Sequence, residues 1–154
     1  MARFATTVTS GAEADIAYRF LADFSNIVDW DPGVLEASRV AGKPAEPGAV
    51  YRVLVPFGPR RIWLDYHVLS AKAPAVDSPG SISLRAENRD FVSLDLITVQ
   101  PTATGCEVTY DAELTLAGVR RVFDPFLRLA FQVIGRRAES GLKDILADPT
   151  RLDV

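Results

Sequence analysis

Three tyrosines and one aspartate are the side chains best placed by type and spacing to do chemistry. Tyr51, Tyr66 and Tyr110 each stand in a run where apolar and other residues alternate. Period-two alternation puts each of them on the apolar face of a strand, pointing inward. A phenol in apolar surroundings needs a hydrogen-bond partner. These hydroxyls therefore either satisfy one another in an ordinary core or orient a carbonyl or ring of a ligand. Asp95 lies in the run Phe91-Val92-Ser93-Leu94-Asp95-Leu96-Ile97. Facing inward, it would be raised in pKa by burial and would serve as a polar anchor or general base. Facing outward, it is an ordinary solvated carboxylate. Val92, Leu94 and Leu96 form one face of that run, and Phe91, Ser93, Asp95, Ile97 and Val99 form the other. Hydrophobicity alone turns the first face inward.

Other constellations carry less. Asp65 and His67 share a strand face, and with Ser70 or Ser83 they have the residue types of a hydrolytic triad. Residues two apart on a strand stand about 7 Å apart at ~3.3 Å rise per residue, and no Gly-x-Ser-x-Gly elbow is present. His67 reads as a rim or surface residue. It is the one histidine, so His-pair metal motifs are excluded. Cys106 is the one cysteine, which excludes an internal disulfide and a thiolate zinc site. The glycines follow no phosphate-cradling pattern. No metal and no cofactor is expected.

The elements that must position these residues are legible from punctuation and periodicity. Phe4 to Thr9 reads as a strand. Ser10-Gly11-Ala12-Glu13 has the form of a capping box, opening a helix with Ile16, Phe20, Leu21 and Phe24 on one face. Ser25 to Trp30 reads as a second short helix, ended by Asp31-Pro32-Gly33. Six strands follow, near Val34 to Val40, Ala49 to Phe57, Arg61 to Ala71, Ser81 to Glu87, Phe91 to Gln100 and Cys106 to Leu116. Short turns between them imply antiparallel pairing. In the third strand of the chain Tyr51, Val53, Val55 and Phe57 share a face. In the next, Ile62, Leu64, Tyr66 and Val68 turn inward and Trp63, Asp65 and His67 outward. Ile82, Leu84 and Ala86 point in, as do Val108, Tyr110, Ala112, Leu114 and Leu116.

Asp124-Pro125 starts a long helix. Its apolar stripe runs through Phe126, Leu127, Ala130, Phe131, Ile134, Ala138, Leu142 and Ile145, until Pro149 stops it. About 22 residues at 1.5 Å each span about 33 Å, enough to cross a small sheet. Gly135 and Gly141 inside it mark either close helix-on-sheet packing or room for a ligand. Arg120, Arg121, Arg128, Arg136 and Arg137 could meet anionic lipid heads. Offset by Asp124, Glu139 and Asp144, they read better as a solvated outer face. Strand, two short helices, six strands and one long helix make an α+β chain.

The chain has 154 residues, enough for one domain over 1–154 without disulfide or metal staples. Hydrophobic residues make up 48% and charged residues 24%, which excludes long disorder. Net charge is −3, against nucleic acid as the main partner. No apolar run reaches the ~18 residues of a membrane span, and Met1 to Thr7 lacks the apolar stretch of a secretion signal. A cytoplasmic location is expected. A homodimer is left open.

Three stretches resemble the START-like superfamily, also called the helix-grip or birch-pollen-allergen fold, and within it the bacterial SRPBCC proteins of polyketide cyclase/dehydrase type. They are Phe20-Leu21-Ala22-Asp23-Phe24-Ser25-Asn26-Ile27-Val28-Asp29-Trp30-Asp31-Pro32-Gly33-Val34, then Thr98-Val99-Gln100-Pro101 through Gly105-Cys106-Glu107-Val108-Thr109-Tyr110, and Phe123-Asp124-Pro125-Phe126 to Leu142. Cys106 stands where threonine is commoner in the family. The resemblance implies a curved seven-stranded antiparallel sheet wrapped around the C-terminal helix, with an internal cavity between them. Its hairpin pattern before Pro101 turns Ile97 and Val99 inward, and Asp95 with them. A bulge would reconcile that with the apolar Leu94 and Leu96.

A hydrophobic small molecule, lipid or polyketide-like, is then the expected partner, for carriage, sequestration or sensing. Trp30, Tyr51, Val53, Tyr66, Leu84, Ile97, Tyr110, Phe126, Phe131 and Ile134 would hold it, with Asp95 as polar anchor. Trp30 would be a lid or a core plug. The alternative is a polyketide aromatase/cyclase or dehydratase using Asp95 and Tyr110. A protein-interaction module with a packed interior is a third reading.

Overall fold

A computed structural model describes residues 1–118, 122 and 124–152. Strand β1 (Ala2–Ser10) leads into helix α1 (Ala14–Ala22) and a 3-10 turn, Phe24–Asp29. Strands β2 (Glu36–Ala41), β3 (Val50–Phe57), β4 (Arg60–Lys72), β5 (Gly80–Glu87), β6 (Phe91–Thr102) and β7 (Gly105–Leu116) follow. Helix α2 (Asp124–Leu146) and a short 3-10 turn, Pro149–Leu152, complete the order. The sheet runs β1-β7-β6-β5-β4-β3-β2, with every neighbouring pair antiparallel. This is the expected α+β arrangement, a curved seven-stranded sheet with two short helices after β1 and a long C-terminal helix. No helix among the described residues is long and apolar enough to cross a membrane.

The ambiguity of β6 is resolved without a bulge. Its register is unbroken against both β5 and β7. Phe91, Ser93, Asp95, Ile97 and Val99 are buried, and Leu94 and Leu96 are exposed. The neighbours decide this. Ile97 sits between Ile82 and Tyr110, and Val99 lies beside Val108. A one-residue slip would turn every core side chain of β6 to solvent. The register shifts lie elsewhere, between Arg39 and Ala41 and between Val68 and Ser70.

The capping box does not form. Glu13 is the residue before α1 and makes no side-chain cap. Ser10 is instead the last residue of β1, and its hydroxyl is buried. It donates to the Leu146 carbonyl at 2.7 Å and accepts from the Ala12 amide at 3.1 Å. The hydroxyl thus ties the end of α2 to the end of β1. Ser10→Ala leaves both backbone groups without this partner. It should lower stability by about 1–3 kcal/mol, read as a lower urea midpoint at unchanged slope. An unchanged midpoint would mean this tie holds nothing.

Helix α2 buries a narrower face than its apolar stripe suggests. Ala138, Leu142, Ile145 and Leu146 are buried, and Leu127 and Phe131 are half-buried. Phe126 (74% exposed) and Ile134 (48%) point away from the sheet, correcting their inward assignment. The buried positions 135, 138, 142 and 145 and the half-buried 127 and 131 follow one line at helical spacing, and 126 and 134 lie beside it. Gly135 packs on the Phe4 ring and Gly141 on the Trp30 carbonyl, so both glycines serve close approach and leave no room there. Arg128 donates to the Met1 carbonyl at 3.1 Å, and Arg136 and Arg137 are exposed. Arg120, Arg121 and Phe123 lie outside the described residues.

Candidate functional site

The polar row on the concave face grows from the strand register. Tyr66, Ala86, Ser93 and Leu114 stand side by side across β4, β5, β6 and β7. Ala86 offers only a methyl group, so the Tyr66 side chain can pass over β5. Its hydroxyl donates to Ser93 Oγ at 3.3 Å. Ser93 donates to Asp95 Oδ1 at 2.9 Å. Tyr110 donates to Asp95 Oδ2 at 2.6 Å, reaching past the small Ala112 that faces Asp95 in register. Each oxygen of the carboxylate thus accepts one hydroxyl donor. All four side chains are buried, Asp95 at 4% exposure.

Burial dominates the electrostatics. Loss of solvent pushes the Asp95 carboxyl up to about 6, against an ordinary 3.8. The Tyr110 and Ser93 hydroxyls oppose the rise, and the nearby Asp31 and Asp111 charges add to it. Burial, with Asp95 beside them, also drives Tyr66 and Tyr110 well above the usual phenol range, so both stay protonated. Asp31 itself is raised by burial, held against that by the Gly33 amide at 2.8 Å.

A carboxyl with a higher pKa folded than unfolded binds its proton more tightly in the native state. Stability therefore falls as pH rises from about 4 to about 6, and the cost of holding the ionised carboxylate is fully present above that. The shift from 3.8 to about 6 corresponds to about 3 kcal/mol at ~1.4 kcal/mol per unit. Thermal unfolding should therefore show wild type losing stability between about pH 4 and pH 6.5 relative to Asp95→Asn, with the two curves parallel above that. Curves parallel across that lower range as well would show that Asp95 is not perturbed.

Aromatic rings wall the row. Trp30 meets Tyr110 edge-on, centroids 5.3 Å apart. Phe24 lies 5.1 Å from Tyr66. Trp30 is buried, a wall of the core rather than an exposed flap. Beyond the row, toward the end of the sheet where α2 begins, burial falls off. Val55, Phe57, Ile62 and Leu114 lie on inward strand faces yet are only half-buried, and Leu127 and Phe131 of α2 join them. At the opposite end Val8, Ile82, Val99, Val108 and Cys106 are buried. The concave face is thus more closely packed at one end than at the other, where Phe91 and Leu116 are buried among these partly buried side chains, and the polar row lies between.

Of the residues expected to form the site, Tyr66, Asp95 and Tyr110 come together directly. Leu84 and Ile97 are their buried neighbours in register, beside Asp95 and Tyr110. Phe131 lies at the uncovered end. Val53 and Tyr51 sit in closed core, where the Tyr51 hydroxyl donates to the Ala22 carbonyl at 3.4 Å, away from Asp95. The triad residues do not assemble. Asp65 is held by Arg52 at 2.8 and 3.0 Å, and Ser70 pairs with Ser83 at 2.6 Å on the outer face. Ser93 was not anticipated, although it stands two residues from Asp95 on the same face. Asp31 and Phe24 were also missed as neighbours of the row, because no local spacing links them to it.

Known proteins share this architecture. A fragment of a STAR-related lipid transfer protein of Xanthomonas axonopodis superposes with a TM-score of 0.71 at 18% identity, covering 99% of this chain and 86% of that one. A START superfamily protein of Mycobacterium smegmatis gives 0.71 at 15%, covering 95% and 97%. The Zhui aromatase/cyclase of Streptomyces gives 0.69 at 10%, covering 98% and 93%. At these identities the likeness concerns the fold alone. Among curated proteins no sequence matches this chain. The sequence does match, over residues 1–147, the family described as polyketide cyclase/dehydrase and lipid transport. With that match over nearly its whole length, the chain belongs to the polyketide cyclase/dehydrase and lipid transport family.

Proposed function

We propose that this protein binds a hydrophobic small molecule, lipid or polyketide-like, between the concave sheet face and the first half of α2, for carriage, sequestration or sensing. One observation supports this most. Inward-facing Val55, Phe57, Ile62 and Leu114 at the α2 end of the sheet are only partly buried, beside the buried Phe91 and Leu116, while Ile82, Val99 and Val108 at the other end are buried. Apolar surface left uncovered on a concave face gains about 25 cal/mol for each Å² a ligand covers. A ligand burying about 300 Å² of that surface would gain several kcal/mol with no special residue. The family's description and the fold shared with a lipid transfer protein agree with this reading. Fluorescence titration with phenylnaphthylamine, a neutral apolar probe, tests it. Saturable one-to-one binding is expected, and a linear, non-saturating signal would refute an interior site.

A second reading rests on Asp95. A carboxyl raised to about 6 and bonded to a phenol suits general acid–base work near neutral pH. A cyclase or dehydratase acting on a polyketide would use it so. Asp95→Asn should then lower turnover by ~10² or more with binding retained. A carrier would keep both its ligand and its transfer rate.

A further inference from the structure

The direction of the hydrogen bonds in the polar row restricts what a ligand's polar end can be. The hydroxyl protons of Tyr110 and Ser93 are given to the two oxygens of Asp95, and that of Tyr66 to Ser93. A hydroxyl has one proton and two lone pairs, and an ionised carboxylate has lone pairs only. The row has therefore spent its donors internally. What remains for a ligand is acceptor capacity, on the phenol oxygens of Tyr66 and Tyr110 and on Asp95. Around it, Val55, Phe57, Ile62, Leu114, Leu127 and Phe131 offer nothing polar. The charge felt by the row is negative as well, since Asp31 and Asp111 act on Asp95 and Asp31 acts on both phenols.

Resting on the reading of an interior ligand site, we propose that the ligand is an apolar molecule whose polar end is a hydrogen-bond donor, a hydroxyl or an amine, and that acceptor-only and anionic heads are rejected by the row of Tyr66, Ser93, Asp95 and Tyr110. A hydroxyl or ammonium head gives its proton to an oxygen the row leaves free. An ether brings only lone pairs to lone pairs. A carboxylate adds a negative charge beside Asp95. An unmatched polar group in a buried site costs its lost hydration without return.

Four probes with the same tail separate these cases: decanol, decylamine, decyl methyl ether and decanoate. Each is measured at pH 8 by displacement of phenylnaphthylamine from wild type, Asp95→Asn and Asp95→Leu. Wild type should bind decanol and decylamine at least ~10-fold more tightly than the ether and decanoate, the size expected of one hydrogen bond to a charged group. Asp95→Asn, whose amide both donates and accepts, should bring decanol and the ether close to parity. Asp95→Leu frees the protons of Tyr110 and Ser93, so its preference should turn toward the ether and decanoate. Equal binding of all four heads by wild type, or a preference for decanoate, would overturn this assignment and leave the apolar site standing. Failure of every probe, phenylnaphthylamine included, would overturn the interior site itself and this assignment with it.

Discussion

Gly141→Ala should lower folding stability by about 3 kcal/mol, or roughly 6–12 °C in Tm. The sign is the informative part. In a solvent-exposed helix interior the same change adds about 1 kcal/mol of stability, because glycine is the poorer helix former. Here a methyl group at position 141 would overlap the Trp30 backbone carbonyl. Backbone cannot turn aside as a side-chain rotamer can, so helix and the 3-10 turn must separate. The buried contacts of Leu142 and Ile145 would loosen with them. Gly135→Ala meets the Phe4 ring instead, which can shift, and should cost less. Denaturant unfolding of both variants checks the order. A Gly141→Ala protein as stable as wild type would mean that α2 does not dock on Trp30. The position of that indole against Tyr110 would then lose its support.

Leu114→Trp should weaken phenylnaphthylamine binding close to a hundredfold and leave the fold intact. Leu114 is inward-facing, half-buried and in register with Ser93. A tryptophan there projects into the uncovered end of the concave face. Loss of about 100 Å² of apolar contact at ~25 cal/mol per Å² costs about 2.5 kcal/mol, which is nearly two decades in affinity. Leu96→Trp is the control, since Leu96 is also on a central strand but faces outward. It should leave affinity unchanged. Equal weakening by both variants would place the probe on the outer face of the sheet.

The fold was largely legible because its signals are local. Alternation fixed the inward faces of β3, β4, β5 and β7, and the turn residues separated the strands. Where local signals failed, a distant neighbour had decided. The face of β6 depends on Ile82, Val108 and Tyr110, which no reading of β6 alone contains. Leu94 and Leu96 are apolar and exposed, so hydrophobicity of that strand pointed the wrong way. Resemblance to the family's hairpin gave the correct face. Ser10 has the residue type of a helix cap, but its hydroxyl bonds the Leu146 carbonyl, 136 positions along the chain. The stripe on α2 overstated its buried face because apolar residues such as Phe126 and Ile134 need not be covered. Tyr66, Asp95 and Tyr110 were legible as inward candidates. Their union through Ser93 was not, because it depends on the small Ala86 and Ala112 and on the register of four strands.

Native mass spectrometry of the protein purified from its own source, before and after organic extraction, reports whether an apolar molecule occupies the interior. The mass should drop on extraction by one small apolar molecule per chain, released with a hydroxyl or amine at its polar end. A single unchanged mass, together with no saturable uptake of phenylnaphthylamine by the extracted protein, would contradict an interior ligand site.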